Sequence, residues 1–385
     1  MHAASQRAVD ERCFVLKSSV WFVGALSLAI FFSPAARAEI VLGQSIPLTG
    51  PLAKQGNAVV NGARAYFDRV NAAGGVNGQR VKLITLDDRG DSKQTVTNAR
   101  QLAAQGVIAL FGSIEGGPCT ELLPVVQELK LPLIACMAGS PQLREPIQRY
   151  VFPVRAAHLS EFAVLLDNAA RLGRKRLAFV HSDSATGRLH LANVTRLAGE
   201  RAIVIAAPIA FSGKADVAAI ARQIVDKQAD VVLNHGGYAM YAQLIKAVRA
   251  LGSSAQFLAV NSGGQEFADA AGSDGQGTIM TQIVPLPTRR GLAIQRDYEN
   301  HFHAAFPNEA FGFSSMEGYV SARMMVEALR RVPTGRLSRE ALVTAAESLG
   351  KLDLGGYAVR YGPNDRTGST FVDVTIISKN QVFVN

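Results

Sequence analysis

The stretch that most constrains the fold runs from Ile40 to Gly62 and reads IVLGQSIPLTGPLAKQGNAVVNG. A short apolar run is followed by polar and turn-forming residues. Then comes a helical pattern carrying Val59, Val60, Ala63 and Phe67. This is a strand–loop–helix unit, and units of the same kind recur along the chain. Val81 to Leu86, Val107 to Phe111 and Leu133 to Cys136 read as strands, each with apolar helical spacing nearby. A second series begins at Leu177 and runs through Ala202–Ala207, Val231–Leu233 and Phe257–Val260. Strands alternating with helices imply an α/β fold with parallel sheets. Such sheets bind ligands in the crevice beyond the carboxyl ends of their strands. The loop from Ser45 to Gly56 is therefore expected to face a ligand.

The series changes after Val260. Thr278 to Val284 reads as a strand, and Ile294–Phe306, Ser315–Arg331 and Arg339–Leu349 read as helices, the second starting at a Ser314–Ser315 cap. The tail, Gly355–Tyr361 and Phe371–Val384, reads as antiparallel strand pairs separated by PNDRTGS. At 385 residues the chain exceeds one ordinary core. Two α/β lobes are expected, residues 39–154 with 283–351 and residues 155–282 with 352–385. The chain would cross near Val154, Ile283 and Leu352. Several crossings make a hinge that closes over a ligand in the cleft between lobes.

Residues 1–38 read as a cleaved secretory signal. Arg7, Arg12 and Lys17 precede an apolar run from Ser18 to Phe32, and Ala36-Arg37-Ala38 supplies the small residues of a cleavage site after Ala38. The alternative is a retained membrane anchor, but the run is short for a bilayer span. A periplasmic location without stable membrane insertion is expected. Removing this segment takes away four basic and two acidic side chains, so the formal charge falls from +9 to +7. The basic residues are scattered and form no stripe, which argues against nucleic acid. His301 and His303 do not share a helical face, and no other metal spacing stands out. No nucleotide-binding glycine motif or GxSxG occurs. No cofactor, metal or catalytic residue is expected.

The order of motifs resembles the type I extracytoplasmic solute-binding proteins of ABC importers, in the leucine/isoleucine/valine-binding class. The resemblance rests on IVLGQSIPLTG, AYFDRVNAAGGVNGQRVKLITLDD, VIALFGS, LPLIACMAGSPQLR and YVFPVRA. Further on it rests on FGFSSMEGYVSARMMVEALRR, LSREAL and LDLGGYAVRYGPNDRTGS. It implies two Rossmann-like α/β/α lobes and a multi-crossing hinge. It also implies non-catalytic capture of a small polar solute (an amino acid, amide or organic carboxylate) and docking of a monomer on ABC importer permease subunits. A sensory protein that signals to a membrane receptor or regulator is the alternative. An exported enzyme is a third reading.

Candidate ligand-binding residues in the first lobe are Ser113, Ile114, Glu115, Gly116, Met137, Ala138, Gly139 and Ser140. Those in the second are His181, Asp183, Thr186, Asn234, Gly236, Tyr238, Asn261 and Ser262. Backbone N–H groups at helix starts make carboxylate receptors, and Gly116 and Gly117 open such a start. Each candidate has a plainer reading as a tight loop, a strand end or, for Tyr238, a packing residue. Glu115 is either a pocket residue or surface. Leucine-type binders carry hydroxyls where this chain has Gly116, Gly117, Pro118 and Cys119, a stacking aromatic at Thr186, and an acidic partner for the ammonium at Asn261. The departures at Thr186 and Asn261 favour a small carboxylate or amide with no required ammonium, unless Glu115 or Asp183 substitutes. Asp87 and Asp88 read as strand-end or capping residues, and Glu317 as a helix-start residue that also ties the hinge. Cys119 and Cys136 fall at neighbouring places if their strands pair, so they form a disulfide or remain two buried thiols.

Overall fold

A computed structural model describes residues 39–384, except 214 and 262. The signal segment and Ser262 lie outside the described residues. The first sheet holds β1 (Ile40–Ile46), β2 (Val81–Asp87), β3 (Ala109–Phe111), β4 (Leu133–Ile134) and β5 (Val151–Phe152), all parallel, in the order β2-β1-β3-β4-β5. β1 is buried along almost its whole length, as a strand covered on both faces must be. Helices α1 (Ala53–Ala72), α2 (Ser92–Ala104) and α3 (Gly116–Glu128) follow the first three strands. Asp91 caps α2 by accepting the Gln94 N–H.

The second series is α4 (His158–Arg171), β6 (Arg176–Ser182), α5 (Ala185–Gly199), β7 (Val204–Phe211), α6 (Val217–Asp226), β8 (Val231–His235), α7 (Tyr238–Ala250), β9 (Gln256–Ala259), α8 (Gly264–Ala271) and β10 (Ile279–Gln282). The remaining elements are α9 (Ala293–Ala305), α10 (Phe313–Arg331), α11 (Arg339–Glu347), β11 (Gly350–Asp353), β12 (Ala358–Gly362), β13 (Asp365–Gly368), β14 (Asp373–Ile377) and β15 (Phe383–Val384). The second sheet runs β15-β14-β10-β9-β8-β6-β7, parallel from β10 to β7 and antiparallel at β14 and β15.

After β10 the chain returns to the first lobe. α10 lies across α1 so closely that a Cβ on Gly62 would fall 1.8 Å from the Ser315 carbonyl oxygen, and one on Gly318 would fall 2.2 Å from that of Val59. Two facing glycines thus let the helix backbones touch. The expected Ser-Ser cap is corrected here. α10 begins two residues into FGFSS, with extended Gly312 as its N-cap. Ser315 sits inside the helix, its hydroxyl paired with Tyr298 Oη at 2.7 Å.

The tail also departs from expectation. The PNDRTGS segment is not a plain connection, because its Asp365–Gly368 portion forms β13. The separate antiparallel sheet β11-β12-β13 packs beside β5. Tyr361 meets Phe152 edge-on and donates its hydroxyl to the Pro153 carbonyl, and Arg366 lies 4.3 Å over the Phe152 ring. The boundary expected at 351/352 therefore falls inside a strand, and the chain reaches the second sheet only after Gly368. The physical reason is the buried aromatic and guanidinium pairing, which a turn-rich sequence conceals.

Cys119, in the first turn of α3, and Cys136, just after β4, are bonded across adjacent strand ends. Their separation of 17 residues closes a loop whose cross-link contributes about 3 kcal/mol. The unreduced, denatured protein should show no reactive thiol from this pair, and the Cys119→Ser/Cys136→Ser variant should lose about 3 kcal/mol in urea unfolding. Two free thiols in the unreduced chain would refute the bond.

Candidate functional site

Four strand ends and the first crossing converge on a cavity of about 50 Å³, lined by Glu115, Gly116, Met137, Ala138, Arg155, His158, His235, Gly236, Val260 and Asn261. The first four belong to the loops after β3 and β4. His235 ends β8, Gly236 follows it, and Val260 and Asn261 follow β9. This is the carboxyl-end crevice of both parallel sheets. Contacts draw the lobes together around it. Tyr238 Oη donates to the Pro51 carbonyl at 2.9 Å, the Gln142 amide donates to Thr186 Oγ1 at 2.8 Å, and Lys54 pairs with Asp269 at 2.8 Å.

Beneath the cavity lies a buried network of charges. Arg155 Nη2 reaches Glu161 Oε1 at 3.4 Å and the Asn261 carbonyl at 3.2 Å, and Nη1 lies 3.7 Å from Glu317 Oε1. Glu161 is fully buried. Its Oε2 accepts the Asn261 N–H at 2.9 Å and the Thr281 hydroxyl at 2.7 Å, and its Oε1 meets His158 Nδ1 at 2.9 Å. Burial raises the pKa of both glutamates, with Arg155 pulling each back down. Burial works against the Arg155 charge, but Glu317 and Glu161 outweigh it and hold the guanidinium above its ordinary pKa. Glu317 thus faces the hinge, which the sequence offered as one of its two roles.

α3 starts at Gly116 with no side-chain cap, after Glu115 in a left-handed conformation with φ 71°. The carboxyl of Glu115 is pushed up by burial, and Arg155 only partly offsets this. A Cβ on Gly116 would lie 3.0 Å from Ser140 Oγ, a buried hydroxyl with no protein partner among the described residues. Gly139 has no room for a side chain. A Cβ there would sit 2.5 Å from His158. The Gly139 N–H donates to His158 Nε2 at 3.2 Å, and the His158 N–H donates to the Gly139 carbonyl at 3.0 Å.

Of the expected site residues, the structure brings Glu115, Gly116, Met137, Ala138, Gly236 and Asn261 to the cavity wall. Ser113, Ile114, Gly139, Ser140 and Asn234 are buried and do not line it. Asn234 donates to its own loop at the Gly236 carbonyl, 3.1 Å away. Thr186 and Tyr238 serve the lobe contacts. His181 stacks on Phe179 and its Nδ1 pairs with the Ser182 carbonyl. Asp183 is exposed and paired with Arg188 at 2.8 Å, so it offers the cavity no carboxylate. Asn261 spends its side-chain amide on Gln282 Oε1 at 2.6 Å. Asp87 caps the β1 loop by accepting the Leu48 N–H and the Thr49 hydroxyl.

Sequence reasoning missed Arg155, His158 and His235. Arg155 ends the quoted YVFPVRA segment, and a charged residue at an expected crossing was the available signal. Nothing local marks the two histidines, which come from distant elements, α4 and β8.

A two-lobed α/β fold with its cavity at the strand ends defines a solute-binding protein of the type I class. The model of the periplasmic binding protein family matches residues 39–380, and the chain belongs to that family. It is similar to the Leu/Ile/Val-binding protein BraC3 of Rhizobium johnstonii, 25% identical over 90% of this chain and 94% of that one. It is also similar to Leu/Ile/Val-binding protein homolog 3 of Brucella melitensis, 28% identical over 67% of this chain and 71% of that one. A possible leucine/isoleucine/valine-binding protein from Rhodopirellula baltica superposes with a TM-score of 0.84 at 25% identity, covering 92% of this chain and 98% of that one. The chain is thus an extracytoplasmic solute-binding receptor, and no described helix is long and apolar enough to cross a membrane.

Removing Arg155 would leave Glu161 and Glu317 buried without a countercharge. The Arg155→Met variant should lose about 3–5 kcal/mol in urea unfolding, and adding Glu161→Gln and Glu317→Gln should recover part of it. A loss under about 1 kcal/mol, the size of a surface pair, would show that the network does not hold the hinge.

Proposed function

We propose that this receptor captures a small carboxylate or amide, with no required ammonium group, and delivers it to the permease subunits of an ABC importer as a monomer without chemical change. Export by a signal cleaved after Ala38 belongs to this reading. Glu115, Gly116, Met137, Ala138, Gly236 and Asn261 form the contact wall, with Ser140 and Gly139 behind it. The solute's oxygen atoms are received at the start of α3, where the Gly116 and Gly117 N–H groups meet the helix dipole and the Ser140 hydroxyl stands by.

The observation that carries the reading is the engagement of Asn261. Its backbone N–H goes to Glu161 and its side chain to Gln282, and Asp183 is turned to the surface. Glu161 is held by Arg155, His158, Thr281 and the Asn261 N–H, and neither it nor Glu317 lines the cavity, so an ammonium there would lack a dedicated anion, which is costly. Glu115 is the one carboxylate on the cavity wall. Burial works against its charged form, which makes it a poorer countercharge for an ammonium than an exposed carboxylate. The relative BraC3 is a Leu/Ile/Val-binding protein by name; this site would accept the carboxylate of such an amino acid, but Asn261 stands where an acidic partner for the ammonium is expected.

An isothermal titration panel of leucine, valine, their deaminated analogues, an amide, urea and several aliphatic and aromatic acids tests this. At least one acid or amide should bind more tightly than leucine or valine, and Glu115→Gln should change its affinity by less than about threefold, under 1 kcal/mol. Submicromolar leucine or valine binding, lost with the deaminated analogue or with Glu115→Gln, would overturn the reading.

A further inference from the structure

His158, His190 and His235 arrive from the start of α4, the middle of α5 and the end of β8. Each offers one ring nitrogen, and the three atoms lie within 4.8 Å of one another. His190 and His235 stand 4.0 Å apart between ring centroids, and His158 and His235 4.7 Å. His190 is fully buried, and neither of its ring nitrogens has a hydrogen-bond partner among the described residues. His235 Nδ1 is likewise unmatched. Phe162 packs edge-on against His190 and His235.

We propose that His158, His190 and His235 bind a divalent transition-metal ion of the zinc class, with the open coordination position facing the solute cavity. Simple packing would be served better by apolar rings. Two of the three adjacent imidazoles, His190 and His235, hold buried ring nitrogens with no partner among the described residues, a desolvation penalty left without compensation. A metal ion uses those lone pairs. The tautomer of His158 is also set for it. Donation of Nδ1–H to Glu161 leaves the Nε2 lone pair free for the ion, and this carboxylate–histidine pairing is the usual outer shell of a metal-bound imidazole. Nε2 now accepts only a 3.2 Å bond from the Gly139 N–H, which the ion replaces. Tetrahedral zinc places its nitrogen ligands about 3.3 Å apart, so the nitrogens, now within 4.8 Å of one another, need to close in by up to about 1.5 Å. Imidazole donors suit zinc, copper, nickel and cobalt rather than calcium or magnesium, which take oxygen. His158 and His235 line the cavity while His190 does not, so the uncovered side of the trio is the side the solute approaches. The inference stands whether or not the solute reading holds, because zinc binding is measured with the metal alone.

The test uses the purified chain without an added histidine tag, stripped with chelator and desalted. Zn²⁺ titrated calorimetrically should bind at one ion per chain, and Co²⁺ should give the visible absorption of a four- or five-coordinate nitrogen site. His190→Phe, checked for folding by circular dichroism, should weaken Zn²⁺ binding at least about 100-fold, and Glu161→Gln about 10–100-fold. His235→Gln, at the less deeply buried edge of the site, provides the same test if His190→Phe does not fold. Absence of stoichiometric binding by the unaltered chain would overturn the proposal. So would binding abolished by His301→Gln/His303→Gln but unchanged in the cluster variants.

Discussion

The buried guanidinium of Arg155 is the interaction on which the rest of the molecule depends. It sits in the first crossing between lobes and answers Glu161 from the second lobe and Glu317 from α10, which packs on the first. Both carboxylates are buried, so each needs the other members in place. Glu161 also holds the Asn261 N–H, the Thr281 hydroxyl and His158. One carboxylate thereby fixes α4, the loop after β9 and strand β10. The hinge is therefore not a loose strap but a polar core, and its geometry sets where the cavity walls stand.

Around that core the fold uses close backbone approach where motion has to be limited. Gly62 and Gly318 weld α1 to α10. Gly139 lets the loop after β4 press on His158, so the two lobes are read against each other at one point beside the cavity. The Cys119–Cys136 bond fixes the start of α3 against the end of β4. The start of α3 is thus held to the loop carrying Met137, Ala138 and Ser140. Preorganisation of this kind lowers the ordering cost of binding.

Much of this was legible in the sequence because parallel α/β units advertise themselves locally. Apolar runs such as Ile40–Leu42, turn residues such as Gly74-Gly75, and the helical spacing of Leu122, Val126 and Leu129 need no tertiary information. The first-lobe loops were legible for the same reason, since a strand end locates a crevice. The tail was not. β13 forms within a turn-rich segment because Arg366 and Tyr361 find Phe152 across the fold. The start of α10 was misplaced because Ser315 bonds to Tyr298 instead of capping. At the site, Asp183 looked like a polar pocket residue, but it pairs with Arg188 at the surface, whereas Asn261 reaches the cavity wall with its N–H groups held by Glu161 and Gln282. His158, His190 and His235 carry no shared local spacing. Only the stacking of α4 and α5 on the sheet brings them together.

The central claim is that the crevice between the lobes exists to hold one small solute. Native mass spectrometry of the protein taken from its own periplasm tests this most directly, with the same measurement repeated after mild unfolding. The account predicts one small organic molecule per chain, retained in the folded protein and released on unfolding. A folded protein that carries no small molecule, and takes up none from periplasmic extract, would contradict it.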